Sequence, residues 1–182
     1  MNYYIEENNK IILFDFDKDK LKNTLKKYIP KYSDFEIKET KKEIVEFEGE
    51  FAFKEEVEHK LLLEKKEEKQ KENIQRAKMA IENGYVSFKN AEFETNAQTV
   101  GDLLASALLM KEANLEKYPW LSKDDKVVEL ELEDFGTLGN LIAEFKNKIW
   151  SELYLSYKEK IQNAKTLEEL DEIEIKYLIL GN

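Results

Sequence analysis

The residues with the clearest capacity for chemistry are three aspartates at two-residue spacing, Asp15, Asp17 and Asp19, which close the apolar run IILFDFDKDK. A buried strand that delivers two carboxylates to its end can carry phosphoryl transfer, the first attacking phosphorus and the second handling the leaving-group proton. The same spacing opens a calcium loop, in which alternate carboxylates converge on one cation. Each chemistry needs further residues. The sixth and twelfth places of a calcium loop call for glycine and glutamate, and here they are Lys20 and Lys26. Phosphoryl transfer through an aspartate calls for a phosphate-binding hydroxyl, a lysine and a distant acidic pair for magnesium. Asp17 is followed by Lys18 and Asp19, and the candidate pair, Asp124-Asp125, falls in a turn.

The elements around these aspartates suggest a simpler role. Tyr3 to Ile5 and Ile11 to Phe16 are short strands flanking Glu-Asn-Asn-Lys, which predicts a β-hairpin. Leu21, Leu25 and Tyr28 or Ile29 recur at helical spacing, Asp17 or Asp19 is placed to cap the first amides, and Pro30 stops the helix. Phe35 and Ile37, followed by Ile44, Val45 and Phe47, predict a second hairpin. Residues 1–53 are thus expected to form a small α+β lobe in which the aspartates cap a helix and line a solvated turn.

Composition bounds the remaining classes. The 182 residues are 42% hydrophobic and 37% charged, with no cysteine, so disulfides, thiolate zinc sites and cysteine nucleophiles are excluded together. The one histidine, His59, cannot form a two-histidine metal site, and no glycine-rich loop is present to cradle a phosphate. Residues 1–83 hold 18 basic and 20 acidic side chains, residues 84–182 hold 11 and 19, and the net charge is −10. An acidic surface repels phosphate backbones and anionic lipids, so neither nucleic acid nor membrane is an expected partner. The opening MNYYIEENNK lacks the basic-then-apolar character of a signal peptide, which predicts a cytoplasmic protein.

Residues 54–83 contain neither glycine nor proline, and their middle, EKKEEKQKEN from Glu64 to Asn73, has no apolar residue. Pairs such as Glu67 with Lys71 and Glu72 with Arg76 have the favourable i,i+4 order, which predicts a solvated helical connector. Val57, Leu61 and Leu62 before this stretch, and Ile74, Ala77, Met79 and Ile81 after it, leave a coiled-coil seam interrupted by about three turns. A homo-oligomeric stalk is the second arrangement that this pattern permits.

Residues 84–182 form the expected C-terminal α+β domain. YVSFKNAEFE predicts a hairpin turning at Asn90, and Thr99 with Asp102 resembles a capping pair for a helix whose core face would be Val100, Leu103, Leu104, Ala107 and Leu108. YPWLSKDDKVVELEL predicts a proline-containing loop, an Asp-Asp turn and a strand alternating Val128, Leu130 and Leu132. Asp134 opens the longest helix of this domain, with the stripe Leu138, Leu141, Ile142, Phe145, Ile149, Leu153, Tyr157 and Ile161, and Thr166-Leu-Glu-Glu169 starts a last helix ending near Tyr177. Large aromatics dominate interface energetics, so Tyr118, Trp120, Trp150 and Tyr154 are the candidate partner-binding residues, with core packing as the ordinary alternative.

The run Phe93-Glu-Thr95-Asn96-Ala-Gln-Thr99, Trp120, the strand from Val127 to Leu132, the Asp134 helix and the ending Ile161 to Ile175 together resemble an uncharacterised phage-associated domain family found in tail and tail-fibre gene clusters. The family's pattern has aspartate at Asn96 and serine at Thr99, and both replacements keep a capping oxygen. The opening MNYYIEENNKIILFD is similar to that of phage tail-fibre accessory proteins. The resemblance implies a non-enzymatic role, as a tail-fibre assembly chaperone or minor fibre component, in the cytoplasm of a bacterial host or in the virion, with a fibre or other tail protein as partner and no cofactor or metal. The runner-up is a metal-dependent phosphatase of the haloacid-dehalogenase type built on Asp15 and Asp17, for which the strand from Ile11 to Phe16 would have to be central and parallel.

Overall fold

The computed structural model describes residues 1–32 and 34–177, and the fold is α+β with antiparallel sheets. Contacts divide the chain into two compact units, Met1–Lys65 and Lys66–Asn182. The division falls inside one continuous helix, where the sequence places its boundaries at the helix ends.

The first unit is built on a sheet ordered β3-β1-β2-β5-β4, with β1 Asn2–Glu7, β2 Lys10–Asp15, β3 Lys38–Thr40, β4 Ile44–Phe47 and β5 Glu50–Phe53. The expected first hairpin forms. Asn8 and Asn9 both take positive φ, 52° and 61°, the backbone twist that lets a two-residue loop follow the twist of its strands. β2 pairs antiparallel with β1 on one side and with β5 on the other. The second hairpin differs from the expected one. Ile44–Phe47 turns at Glu48-Gly49, with φ of 53° and 81°, and pairs with β5, while β3 crosses to the far edge of β1. A two-residue turn with a glycine in it closes a hairpin more readily than the longer span between Ile37 and Ile44. Helix α1, Lys18–Tyr28, packs Leu21 and Leu25 on Ile5 and Tyr32 and is capped by Asp17, one of the two aspartates its sequence offers, while Asp19 supplies a capped amide.

Helix α2, Lys54–Glu82, spans both units. In the second unit its polar residues are not all solvated, which corrects the sequence reading. Lys66 Nζ donates to Gln162 O (2.8 Å), Gln70 Nε2 to Lys158 O (3.1 Å) and Asn73 Nδ2 to Tyr154 O (3.1 Å). The donors ascend by four and three residues while the acceptors descend by four, the signature of two antiparallel helices joined by side-chain-to-backbone bonds. Asn73 is completely buried beside Ala77 and Ala80. Polarity alone could not reveal this, because a donor that finds a backbone carbonyl is satisfied as fully as one in water.

The second unit continues with β6 Tyr85–Phe88, β7 Ala91–Glu94, α3 Ala97–Ala113, β8 Tyr118–Leu121, β9 Val127–Leu130 and α4 Leu132–Asn147. The β6–β7 hairpin turns at Lys89-Asn90, both at positive φ. Val86, Phe93, Leu103, Met110, Leu130, Leu138 and Ile142 form its core. Three local expectations fail here. The Tyr-Pro-Trp segment is a strand paired with β9, not a loop, and Leu132 begins α4 instead of ending the strand. The α3 cap is Asn96, whose Oδ1 accepts the Thr99 N–H (2.8 Å), so Thr99 is the capped amide. Asp102 accepts instead from Gln98 Nε2 (2.8 Å).

The long stripe is as read: Leu138, Ile142, Ile149 and Ile161 are buried, with Leu141, Phe145, Leu153 and Tyr157 half-buried between them. From Phe145 to Ile161 it advances in steps of four, and each step overshoots an α-helical turn by about 40°. A π-helical turn over Lys148–Tyr154, between α4 and α5 (Leu155–Asn163), slows the winding and keeps the stripe on one side. Thr166 caps α6, Leu167–Asp171, which ends short of the expected Tyr177. A side chain at Gly136 or Gly139, in mid-α4, would meet open space. Replacing either with alanine is expected to raise stability by about 0.5–1 kcal/mol through helix propensity, as measured by urea unfolding.

Candidate functional site

The aspartates that open the chemical question are occupied by local structure. Asp17 Oδ1 accepts the N–H groups of Asp19 (2.9 Å) and Lys20 (3.1 Å), satisfying two of the orphan amides of α1. Asp15 Oδ1 accepts the Asp17 N–H (3.1 Å) and Oδ2 pairs with Lys20 Nζ (3.1 Å). That amide, followed by the lysine, holds the Asp15 carboxyl below its ordinary value. His59 is exposed on α2. Among the described residues no group of three or more His, Asp or Glu side chains could hold a metal ion, and no helix is long and apolar enough to cross a membrane.

Asp124 ties the β8–β9 turn to the neighbouring hairpin. Its Oδ1 accepts the Glu92 N–H (3.0 Å) and the Ser122 hydroxyl (2.7 Å), while Oδ2 pairs with Lys126 (2.6 Å). The Glu92 amide foremost, then Lys126 and Ser122, hold this carboxyl far below the usual range. A depressed folded-state pKa adds stability above about pH 4 that is lost as pH falls through the depressed value. Asp124→Asn is therefore expected to lower the melting temperature at pH 7, with the gap to the parent protein closing toward pH 2. Thermal scans across that range check it.

The four aromatic candidates fall into two pairs. Tyr118 and Trp120 are half-buried on the inner side of β8, each 6.3 Å from the Phe135 ring and nearly perpendicular to it. Trp150 and Tyr154 stack edge-to-face at 5.2 Å on the π-helical turn. Trp150 remains 37% exposed, while Tyr154 packs on the Ala77–Ala80 face of α2. Beside this turn, Phe145, Ile149 and Leu153 line a groove of about 560 Å³ with Lys148, Glu152 and Lys176 also at its wall.

The first pair stands beside a feature that the sequence reading assigned to the core. Helix α3 buries Leu103, Ser106 and Met110, and turns Val100, Leu104, Leu108 and Leu109 outward with 41%, 65%, 55% and 49% exposure. The expected core face therefore splits, with Leu103 and the half-buried Ala107 inside and the other three outside. The signal was present in another form: Asp102 is the only charged residue from Ala97 to Met110, so the helix is apolar all round, as helices covered on every side are. Between α3 and β8 runs a second groove, of about 450 Å³, lined by Ala105, Leu109, Tyr118, Pro119, Trp120 and Leu121, with Asp102 and Ser106. This surface sets aromatic and apolar side chains beside the Asp102 carboxylate and the Ser106 hydroxyl. It presents no nucleophile paired with a base.

No family model matches the chain, and no curated protein and no solved structure matches it either.

Proposed function

We propose that the protein is a non-enzymatic binding protein that holds a partner chain on the surface formed by α3 and β8. The observation that carries this reading is the outward row Val100, Leu104 and Leu108, continuous with Leu109 and the groove beside Trp120, on a chain that is otherwise 37% charged. Two further observations favour binding over phosphate hydrolysis. The strand that leads to Asp15 is antiparallel to both neighbours, and the carboxylates of Asp15 and Asp17 are spent on backbone amides and Lys20. The resemblance carried by Phe93 to Thr99, Trp120 and the Asp134 helix directs the search for a partner to phage or prophage tails. The role is that of a fibre-assembly chaperone in the host cytoplasm or a minor fibre component of the virion.

Co-expression with a tail-fibre protein encoded beside it tests this reading. The fibre protein is expected to co-purify with the parent chain and to be lost from the Leu104→Asp, Leu108→Asp variant. The opposite outcome is magnesium-dependent hydrolysis of a phosphomonoester by the parent protein that disappears when Asp15 and Asp17 are replaced by asparagine.

A further inference from the structure

Resting on that reading, we propose that a second copy of this chain covers the outward face of α3 until the partner chain arrives, so that self-association and capture exclude each other. Val100, Leu104 and Leu108 stand on α3 as an exposed ridge of i±4 spacing, and the neighbouring row, Ala97, Gly101 and Ala105, is low. A Cβ built on Gly101 would meet nothing within 4 Å. A ridge beside a low row of the same spacing is complementary to itself. About a two-fold axis, the ridge of each copy enters the low row of the other. Interdigitation of i±4 rows is the commonest class of helix contact. The groove beside Trp120 lies on the flank of this contact, where Leu109 and Leu121 extend the apolar surface.

Charge admits a second copy and orients it. Along α3 and its C-terminal loop, Asp102, Glu112 and Glu116 stand against Lys111 and Lys117, while around β8 and β9 Asp125 and Glu129 stand against Lys123 and Lys126. Signs that nearly balance raise no local like-charge barrier. The net charge of −10 on each chain opposes approach at long range, where salt screens it. The first turn of α3 carries no acidic residue, and Lys111 and Glu112 stand at its other end. With the two helices antiparallel and Leu104 near the axis, Glu112 of each copy approaches the first turn of the other, where a helix favours negative charge. Lys111 then approaches the exposed Glu94. Val100, Leu104, Leu108, Leu109 and Leu121 are 41–66% exposed and present on the order of 500 Å² of apolar surface per copy, so the doubled contact falls below the standard size of a stable interface. A contact of that size exchanges, as one that yields to a partner must.

The full chain has no cysteine, so a single introduced thiol reports the contact. Sedimentation of the parent protein from about 1 to about 200 µM is expected to show a monomer passing to a dimer, with affinity weakened at least about tenfold by Leu104→Asp with Leu108→Asp. Leu104→Cys is treated with diamide, which takes up the two thiol hydrogens as the disulfide forms. It is expected to link into dimers at least about tenfold faster than Met79→Cys, a comparably exposed position on α2. The linked dimer is expected to capture no tail-fibre protein and to regain capture on reduction. Circular dichroism melts confirm that the variants, all at exposed positions, stay folded. A monomer throughout the concentration range, a dimer indifferent to the α3 variants, or a linked dimer that still captures the fibre protein would each overturn the inference. A dimer dissolved by the α3 variants, in a protein that captures no fibre protein in any form, upholds the contact and removes the binding role, so the two failures are distinguishable.

Discussion

Replacing Gly84 with valine is expected to cost about 3 kcal/mol of stability, and alanine somewhat less. Gly84 is buried where α2 gives way to β6, and a Cβ there would lie 2.6 Å from Ala80 O and 2.6 and 2.7 Å from two atoms of the Phe145 ring. The ring could swing aside, but the Ala80 carbonyl belongs to the backbone of α2. The junction is also tied by the Thr95 hydroxyl, which donates to Ile81 O (2.6 Å), and by the Thr95 N–H, which donates to Gly84 O (3.1 Å). Relief of the contact would therefore displace the end of α2, the start of β6 or both. Both tryptophans lie in this unit, so urea unfolding followed by tryptophan emission reports the loss. Gly101→Ala is the control. It meets open space in the middle of α3 and should stabilise by about 0.5–1 kcal/mol. A neutral Gly84→Ala would show that the close approach of Phe145 and Ala80 is not a constraint.

Asn73→Ala is expected to destabilise the second unit by about 2–3 kcal/mol. The buried amide donates to Tyr154 O at the end of the π-helical turn and accepts the Tyr177 hydroxyl (2.5 Å). Truncation leaves a carbonyl and a half-buried phenol without the partner that the completely buried amide supplies. The same contact makes an alkaline prediction. Burial, with the neighbouring Tyr157 and Tyr154, pushes the Tyr177 hydroxyl up to about 12. A folded-state pKa above the ordinary value of about 10 means the contribution is full below pH 10 and is lost as pH rises toward 12. Tyr177→Phe should flatten that part of the stability profile while costing less than Asn73→Ala at pH 7, because phenylalanine keeps the ring packing. Chemical unfolding at pH 8, 10 and 11 separates the two variants. An Asn73→Ala protein as stable as its parent would mean the buried amide is dispensable.

How much of the candidate surface could be read from residues alone differs from place to place. Tyr118 and Trp120 stand out in the sequence as large aromatics on either side of a proline, and both line a groove. Leu104 and Leu108 have the spacing of a core face and lie exposed. An α-helix with two apolar stripes does not disclose which one its own chain covers, because both satisfy the same spacing. Trp150 and Tyr154, equally prominent as aromatics, lie on a different element.

What the residues determined by themselves is the set of features settled within a few positions of chain. Asp17 caps α1 and Thr166 caps α6 because a side-chain oxygen reaches an amide two or three residues away. Asn8-Asn9 and Lys89-Asn90 turn their hairpins because asparagine tolerates the left-handed backbone those turns require. The four-residue steps from Phe145 to Ile161 stay on one face only if each residue winds less than in an α-helix. Tertiary structure alone decided the partners that lie far apart in sequence: β5 beside β2 as well as β4, the carbonyls of α5 that receive Gln70 and Lys66, and the face of α3 left outward. Each of these depends on which surface arrives to exclude water. A donor such as Asn73 has the same local chemistry in solvent and against Tyr154, so only packing distinguishes the two.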